Sequence, residues 1–423
     1  MRVLLIGSGG REHALAWGLS RSSGLGELHA APGNPGMSEL ATCHDVAIGD
    51  LAGITDLAES LRVDLVVVGP EAPLVGGLVD RLAAAGIRAF GPSADAARIE
   101  GSKAFAKDVM AAAGVRTAAS TVCDTLAAAQ LAIAEAEGRV VVKADGLAAG
   151  KGVIVCDSAE DAERAIRQCL VDRAFGGSGD RVLIEQRLEG PELSMLALCD
   201  GETVLPLAPA RDYKRIFDGD QGPNTGGMGC ISPVPGFDGS AVRELVAAVH
   251  RPVVDELATR GTPYRGCLYA GLMLTDEGPQ VIEFNARWGD PETQVIVPRL
   301  RSDLLDLLVR AAEGRLAEAP LELADQACVS VVLAARGYPD APERGAEITG
   351  VESAAACEGV SVFHAGTARE GGRLVVAGGR VLNVSAVGPD LPTARDRAYE
   401  AADRIAFDGM QRRSDIGAVA ARV

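Results

Sequence analysis

Residues 143–155 read KADGLAAGKGVIV, and this stretch decides how the rest of the chain is interpreted. Its glycines and lysines suggest the phosphate loop of a P-loop NTPase. That motif places four residues between its glycines, then Lys and a hydroxyl residue that opens a helix. Here three residues separate Gly146 from Gly150, and Gly152 stands where Ser or Thr belongs. Because the β-branched run Val153-Ile154-Val155 follows, the stretch predicts a glycine-rich loop between two strands.

A glycine-rich loop between strands can fold over a triphosphate, with backbone N–H groups facing the oxygens and lysines as point charges. Lys143 and Lys151 would supply those charges. The alternative is a tight hairpin whose lysines are only solvated. Lys103 follows Ser102, the predicted N-cap of a helix, and a helix N-terminus binds phosphate well. The alternative for Lys103 is an ordinary surface lysine.

The composition is that of a soluble globular protein that does not bind nucleic acid. Of 423 residues, 48% are hydrophobic and 23% are charged, and the formal net charge is −17. Such a charge argues against a nucleic-acid or anionic-membrane surface. The apolar run at the N-terminus is too short for a signal peptide, and no stretch approaches the roughly 20 apolar residues of a membrane span. Nine scattered cysteines without a CxxC motif indicate a reducing compartment, so we expect a cytoplasmic protein.

Three patterns of strands and helices follow one another along the chain. The first hundred residues alternate strands and helices, which predicts a parallel sheet with ligand-facing loops at the carboxyl ends of its strands. Farther along, Cys267–Leu274 and Pro279–Asn285 predict a hairpin, and the last hundred residues are rich in strands. A second hairpin is predicted between Arg373–Ala377 and Arg380–Ser385. A long polar loop is predicted over Arg211–Pro233.

The first predicted hairpin ends in a run of polar side chains. Strand periodicity puts Glu283 and Asn285 on one face, with apolar residues on the other. A carboxylate and an amide oxygen two residues apart can hold Mg²⁺ against phosphates, and Arg287 on the same face can clamp an anion. Asp290 and Glu292 follow in a tight turn. The alternative is a solvent-facing strand surface.

Two further loops carry candidate chemistry. The polar loop mixes Asp212 and Lys214 with other charges, which suits a zwitterionic or phosphorylated substrate. The N-terminal GSGGREH follows a strand and opens a helix, as in a dinucleotide fingerprint, but Glu12 occupies the place of the third glycine. A single phosphate at this helix N-terminus is therefore favoured over a dinucleotide, with residues 32–36 and 69–71 completing the pocket. The alternative is a plain turn between strand and helix.

Taken together, these stretches resemble the phosphoribosylamine–glycine ligase (glycinamide ribonucleotide synthetase) family, ATP-grasp enzymes of purine biosynthesis. The resemblance covers essentially the whole chain and rests on GSGGREHAL, PGNPG, GPEAPL, GPS with GSK, VVVKADGLAAGKGV, GPNTGGMG, YAGLML, EFNARWGDPETQ and the closing RSDIG. KADGLAAGKGV and GPNTGGMG are its most specific parts. Two positions depart from the family pattern: Tyr213 replaces the usual His, and Trp288 the usual Phe.

The resemblance implies an α/β fold, with α+β character in the ATP-binding part. An N-terminal parallel-sheet pre-ATP-grasp domain would cover residues 1–102. The ATP-grasp region would cover 103–326, with a small lid subdomain at about 117–190 and a larger subdomain at about 191–326. A small C-terminal sheet domain would cover 327–423.

The resemblance also implies the site residues. ATP would contact Lys103, Lys143, Gly146, Gly150, Lys151, Gly152, Glu185, Arg187 and Glu192, with the glycine loop as lid, the strand before Arg187 as adenine hinge and Glu192 on the ribose. The phosphoribosyl substrate and glycine would contact Gly9, Gly10, Arg11, Asn34, Glu71, Asp290 and Glu292. Glu283 and Asn285 would hold Mg²⁺ or Mn²⁺, and Arg287, Asp212 and Lys214 would be catalytic.

The implied reaction forms glycyl phosphate from ATP and glycine, and 5-phosphoribosylamine then attacks it to give glycinamide ribonucleotide, ADP and phosphate. The expected partners are these small molecules alone, with no nucleic acid and no membrane, and we expect a monomer. Three alternatives remain: another ATP-grasp carboxylate–amine ligase or purine carboxylase, a nucleotide sensor without catalysis, and a nicotinamide-dependent oxidoreductase that uses the GSGG loop.

Overall fold

The fold begins with the parallel sheet that the N-terminal pattern predicts. In a computed structural model that describes residues 1–148 and 152–418, five strands pair in the order β3-β2-β1-β4-β5, and all of these pairs are parallel. The elements of this part are β1 (Arg2–Gly7), α1 (Gly10–Ser20), β2 (Glu27–Pro32), β3 (Thr42–Cys43), α2 (Leu51–Leu61), β4 (Leu65–Val68), α3 (Glu71–Val75), α4 (Leu78–Ala84), β5 (Ala89–Phe90) and α5 (Ala94–Gly101). The central strands β1 and β4 are nearly continuous buried apolar runs, as expected of a sheet covered on both faces.

A second, antiparallel sheet carries the glycine-rich loop. Its strand order is β6-β9-β7-β8, and Lys143 on β7 lies opposite Val153 on β8. The strand–loop–strand prediction is thus confirmed for the two strands, whereas the predicted site residues Gly150 and Lys151 lie outside the described part. The elements are α6 (Lys103–Ala112), β6 (Ser120–Cys123), α7 (Leu126–Glu135), β7 (Val140–Ala144), β8 (Val153–Val155), α8 (Ala159–Leu170) and β9 (Val182–Gln186).

A third sheet, β11-β10-β16-β17, contains the predicted hairpin, which is confirmed as β16 and β17. The prediction of a long polar loop over Arg211–Pro233 is wrong, because this segment forms four short strands, β12–β15. Residues 239–259 form two helices rather than one, because Pro252 in the first turn of α10 has no N–H to continue the hydrogen-bond ladder. The elements are β10 (Glu192–Asp200), β11 (Val204–Pro206), β12 (Arg211–Asp212), β13 (Arg215–Phe217), β14 (Gln221–Asn224), β15 (Gly229–Ser232), α9 (Gly239–Ala248), α10 (His250–Thr259), β16 (Arg265–Thr275), β17 (Gly278–Asn285), α11 (Thr293–Ile296) and α12 (Leu304–Glu313).

The C-terminal sheet has the order β12-β15-β18-β22-β19, so two strands of the former polar loop belong to it. The second predicted hairpin is wrong. β21 pairs with β20, while β22 pairs with β18 and β19. Gly378 and Gly379 do not form a hairpin turn between β21 and β22. Gly378 packs directly against the backbone of Gly366, and the chain crosses there between two sheets. The elements are β18 (Ala327–Ala334), α13 (Val351–Ala355), β19 (Val360–His364), β20 (Thr367–Glu370), β21 (Arg373–Val376), β22 (Arg380–Gly388) and α14 (Leu391–Ala402).

Separate apolar cores stabilise these layers. One lies between the first sheet and the third sheet, and includes Leu4, Val66 and Leu268. Another lies beneath the C-terminal sheet, where Ile416 from the end of the described chain is fully buried. Among residues 1–148 and 152–418, no helix combines the length and the apolar character needed to cross a membrane.

Candidate active site

A bulge in β17 lies at the centre of the candidate site. Val281 and Glu283 oppose the adjacent residues Leu272 and Gly271 of β16, so Ile282 is one residue too many for the ladder. Bulges redirect side chains and carbonyls and are common beside active sites. Beyond this bulge, side chains alternate between the two faces of the strand, so Glu283 and Asn285 lie on the same face of β17.

Lys143 binds the carbonyl group of the bulge. Its Nζ donates to Ile282 O at 2.9 Å and lies 2.8 Å from Glu185 Oε2. Lys107 approaches the other oxygen of Glu185 at 3.3 Å, and both Lys143 and Glu185 are 3% exposed. The sequence does not indicate Lys107 as a site residue, because a lysine in an amphipathic helix is usually a surface residue. The second sheet is therefore tied to β17 through buried charges.

The beginning of α6 lies under the glycine-rich loop. Ser102 caps the helix by accepting from Phe105 N, as predicted, and Asp145 accepts from Ala104 N at 2.7 Å. Lys103 Nζ donates to Gly146 O at 3.0 Å. The sequence suggested a phosphate at this helix N-terminus, but the carboxylate of Asp145 occupies it. Lys103 contacts Gly146, where the glycine-rich loop begins.

Three lysines surround Glu283. Lys214 Nζ lies 3.7 Å from Glu283 Oε1 and 3.1 Å from Glu192 Oε2. Burial alone would raise the pKa of Glu283, but the charges of Lys214, Lys143 and Lys103 outweigh it and leave that pKa below its ordinary value. Glu283 is therefore an ionised carboxylate in a strongly cationic environment, where a nucleotide triphosphate would be well matched.

The donors on β17 fit a hard divalent cation. Glu283 offers carboxylate oxygens and Asn285 an amide oxygen, both on partly exposed positions of the strand. No group of three His, Cys, Asp or Glu side chains with metal-binding geometry occurs in the described ranges. Magnesium is commonly held by one or two protein oxygens and completes its shell with phosphate and water. The residue set suits that mode and does not suit an all-protein cage.

Arg287 lies between two acidic side chains from the first part of the chain. Its Nε is 3.1 Å from Glu71 Oε2, and its Nη2 is 3.6 Å from Glu100 Oε1. Burial opposes ionisation of Glu71, but Arg287 and Arg11 lower its pKa to about 2. Burial raises the pKa of Glu100 to about 7, and Glu100 also accepts from Ala286 N at 2.6 Å. Glu100 carried no sequence signal, because an acid near the end of a helix resembles a surface residue.

The turn after β17 contacts the C-terminal sheet. Asp290 lies 3.1 Å from Arg380 Nη2 and accepts from Gln294 Nε2 at 2.7 Å. Glu292 is buried and accepts from Ser194 Oγ at 2.9 Å. Arg380 was not predicted as a site residue, since it lies far along the chain in a segment interpreted as an ordinary hairpin.

The N-terminal loop approaches the same turn. Gly9 N donates to Glu12 Oε2 at 2.7 Å, so the carboxylate of Glu12 occupies the N-terminus of α1. A Cβ at Gly10 would collide with the amide groups of Asn383 and Gln294, which explains the need for glycine there. Both polar atoms of the Asn383 amide are buried without a hydrogen-bond partner in the described structure. This buried amide is therefore a candidate for contact with a ligand at this end of the site.

Asp212 lies at the junction of the two halves of the site. Burial and the neighbouring carboxylate of Glu292 raise the pKa of Asp212 well above its usual range, although Lys214 opposes them. Its Oδ1 atom has no hydrogen-bond partner in the described part of the chain. Asp212 is consequently a candidate for binding a ligand or exchanging a proton with it.

Two predicted site residues are engaged elsewhere. Asn34 Nδ2 donates to Ser8 O and His364 O, both at 2.9 Å, so its amide shapes the loop rather than pointing into the site. Arg187 pairs with the exposed Asp157 and does not join the lysine cluster. Contacts link Lys214 to Glu192 and Glu283, and Arg287 to Glu71.

The arrangement of the sheets and the lysines around Glu283 are those of an ATP-grasp protein. A biotin carboxylase domain of 2-oxoglutarate carboxylase from Hydrogenobacter thermophilus shares the fold, with a TM-score of 0.74 at 19% identity over 97% of this chain and 91% of that one.

The chain belongs to the phosphoribosylglycinamide synthetase family, whose N domain matches residues 1–100, ATP-grasp (A) domain residues 101–293 and C domain residues 328–419. It is 54% identical to the phosphoribosylamine–glycine ligase of Streptomyces coelicolor over 100% of both chains. The crystal structure of phosphoribosylamine–glycine ligase from Thermotoga maritima is similar with a TM-score of 0.86 and 38% identity, over 98% of this chain and 100% of that one.

Proposed function

We propose that this chain joins glycine to 5-phosphoribosylamine and converts ATP to ADP and phosphate, forming glycinamide ribonucleotide in purine biosynthesis. The observation that carries the proposal is the convergence of Lys103, Lys143 and Lys214 on Glu283, beside Asn285. Three cations around two metal-type oxygen donors suit a magnesium triphosphate. The family membership and the names of the relatives support the choice of the other two substrates.

The nucleotide would lie between the second and third sheets. Lys103 and Lys143 would bind its phosphates, and the loop that includes Gly146 and Gly152 would cover them with backbone N–H groups. Glu185 would hold Lys143 in place from the hinge strand, and Glu192 would contact the ribose.

Glu283 and Asn285 would hold Mg²⁺ or Mn²⁺, which neutralises phosphate charge when bound. The two residues are oxygen donors on one face of β17, and only two protein donors are required when phosphate oxygens complete the shell. Lys214, next to both Glu283 and Glu192, would add a positive charge to the same region.

The chemistry needs positioning and charge stabilisation rather than a covalent nucleophile. The glycine carboxylate takes the γ-phosphoryl group to give glycyl phosphate; the amine then forms the C–N bond, phosphate leaves and the amine releases a proton. Arg287 would steady the transferring group, and Asp212 would take up that proton. Near-wild-type turnover of Arg287→Ala would contradict the first role, and that of Asp212→Asn the second.

The second substrate would bind at the other end of the path. Gly9, Gly10 and Arg11 would approach the phosphoribosyl group together with Glu71, and Asp290 and Glu292 would orient the amine. The buried, unpartnered amide of Asn383 supports a polar ligand there. Asn34 would act through the shape of the loop, since its own donors are occupied.

An assay of ADP release with glycine and freshly generated phosphoribosylamine tests the proposal. ADP should form only when ATP, glycine and phosphoribosylamine are all present, and omission of either co-substrate should abolish it. Release with another amine or carboxylate would favour a different ATP-grasp ligase or carboxylase. Nucleotide binding without turnover would favour a sensor, and nicotinamide-dependent reduction would favour an oxidoreductase. We further propose a cytoplasmic monomer, which sedimentation of the purified protein would check for oligomeric state.

A further inference from the structure

The segment Arg413–Gly417, which we call the terminal clamp, packs on the loop that bears Lys214. Arg413 is 1% exposed, although it lies close to the end of the described chain. Its Nη1 donates to Arg215 O at 3.1 Å and to Asp220 Oδ1 at 2.6 Å. A buried guanidinium that binds both a backbone carbonyl and a carboxylate fixes the position of the loop to which they belong.

The tip of the hairpin formed by β13 and β14 is held by further charged contacts. Ser414 N donates to Asp218 Oδ1 at 2.8 Å, and Gly219 N donates to Asp415 Oδ2 at 2.8 Å. Arg413 also binds both carboxylate oxygens of Asp415. The acidic groups of the tip and of the terminal clamp are thereby brought together around one cation, and they would repel one another without it.

The base of the same hairpin is held through Tyr213. The guanidinium of Arg413 lies 5.1 Å from the centre of the Tyr213 ring, and the Tyr213 hydroxyl accepts from Gly417 N at 3.2 Å. Ile416 is buried in the C-terminal core and leaves no room for a Cβ at Gly229, where the loop ends. The loop is therefore clamped at its tip, at its base and at its exit.

Lys214 lies between Tyr213 and Arg215, the two residues that Arg413 contacts. A two-stranded hairpin is marginal by itself, so β13 and β14 depend on such tertiary support. Inside the loop, Lys214 O accepts from Thr225 N at 2.8 Å, while Lys214 Nζ reaches across to β10 and β17. The orientation of that ammonium group follows from the position of the clamped loop.

We propose that Arg413 is a positioning residue, which acts through Tyr213 and Arg215 to hold Lys214 beside Glu192 and Glu283. The role in turnover rests on the proposed function, whereas the clamping of the loop does not. The C-terminal part of the chain would thus complete the nucleotide site without touching the nucleotide.

Hydrogen exchange in the full-length protein without substrates tests the clamp directly. In Arg413→Gln, the amides of Thr225 and Met228, which donate to the carbonyls of Lys214 and Tyr213, should exchange at least about tenfold faster. Arg412→Gln is the matched control, because Arg412 pairs with Asp403 outside the hairpin and its loss should leave these amides unchanged. Unchanged exchange in Arg413→Gln would overturn the proposal.

A double-mutant cycle tests the link to Lys214. Arg413→Gln should lower kcat at least about tenfold in the wild-type background and have little further effect in Lys214→Met. An equal loss in both backgrounds would overturn the positioning role. If Arg413→Gln does not fold, Asp218→Ala, which removes the acceptor of the Ser414 N–H and hydroxyl, should raise exchange in the hairpin alone, and unchanged exchange would overturn the clamp. Absence of ADP release by the wild-type protein would refute the proposed function, while the exchange result would still decide the clamp.

Discussion

Lys143 Nζ lies 2.8 Å from Glu185 Oε2 and at the same time donates to the carbonyl of Ile282, the extra residue of the β17 bulge. The contact joins the sheet under the glycine-rich loop to the strand that bears the metal-type donors. Lys107 shares Glu185, so two cations and one anion form a buried network. The position of Lys143, which we propose binds phosphate, is therefore determined by both sheets together.

Lys143→Met should remove a phosphate contact and leave Glu185 with Lys107 as its one remaining cation in the described structure. Loss of one partner of a buried pair costs about 3–5 kcal/mol, and the remaining cation should reduce this. We expect at least about a hundredfold loss of turnover with a lower thermal midpoint. Arg139→Gln, which removes an exposed ion pair with Glu189, is the control. Wild-type ATP affinity and turnover in Lys143→Met would contradict this role.

Glu283→Gln should weaken the binding of a divalent cation at the site. The amide loses the negative charge that balances three lysines and binds a divalent cation less well, so the magnesium concentration at half-maximal ADP release should rise by about tenfold or more. Glu277→Gln changes an exposed carboxylate at the turn of the same hairpin and should leave the metal dependence unchanged. An unchanged metal dependence in Glu283→Gln would remove the metal assignment.

Glu100→Gln should change how stability depends on pH. The charged groups around Glu100 are Arg287, Glu71 and Arg11, but burial dominates and raises its pKa from 4.5 to about 7. Because the native protein binds this proton more tightly than the unfolded chain does, the contribution to stability is complete below pH 4.5 and is lost as the pH rises through 7.

The wild-type thermal midpoint should therefore fall relative to that of Glu100→Gln between pH 5 and pH 8. The pKa shift of Glu100 corresponds to about 3 kcal/mol in the free energy of unfolding. For a chain of this length, this changes the thermal midpoint by a few degrees. Thermal unfolding of both proteins at several pH values measures it. A constant difference between the two midpoints would show that Glu100 does not titrate in this range.

Gly227→Ala should disturb the loop at Asp212. Gly227 has a φ of +108°, and a Cβ there would lie 2.6 Å from Asp212 Oδ1, with Pro291 on another side. Gly261→Ala is the matched control, since Gly261 also has a positive φ of +80° but nothing lies within 4 Å of its Cβ. Turnover should fall at least about tenfold in Gly227→Ala and stay within about twofold in Gly261→Ala. Equal effects would mean that backbone strain alone, and not the clash with Asp212, matters.

Much of the fold followed from local sequence signals. Ser102 caps its helix, and strands flank the glycine-rich loop as predicted, because an N-cap or a β-branched apolar run identifies these elements without reference to the rest of the chain. The strands within residues 211–233 were not predicted, because β15 pairs with β18, about a hundred residues farther on. A polar strand whose partner is so distant carries no local pattern. The division of the chain after residues 102 and 326 stays a prediction.

The candidate site was partly visible for the same reason. Glu283, Asn285 and Arg287 share a short motif, so spacing alone brings them together. Glu100 and Arg413 gain significance only through contacts with residues almost two hundred positions away, which no local pattern indicates. The roles given to the predicted site residues stay proposals that the substitutions above are designed to test.

The central claim is that the glycine-rich loop and a divalent ion on β17 together hold the triphosphate of ATP. A crystal structure with a non-hydrolysable ATP analogue and Mn²⁺, located by its anomalous signal, tests it most directly. Manganese should lie within coordination distance of Glu283 and Asn285, with the phosphates between Lys103 and Lys143. A triphosphate bound elsewhere, away from both the loop and β17, would contradict it.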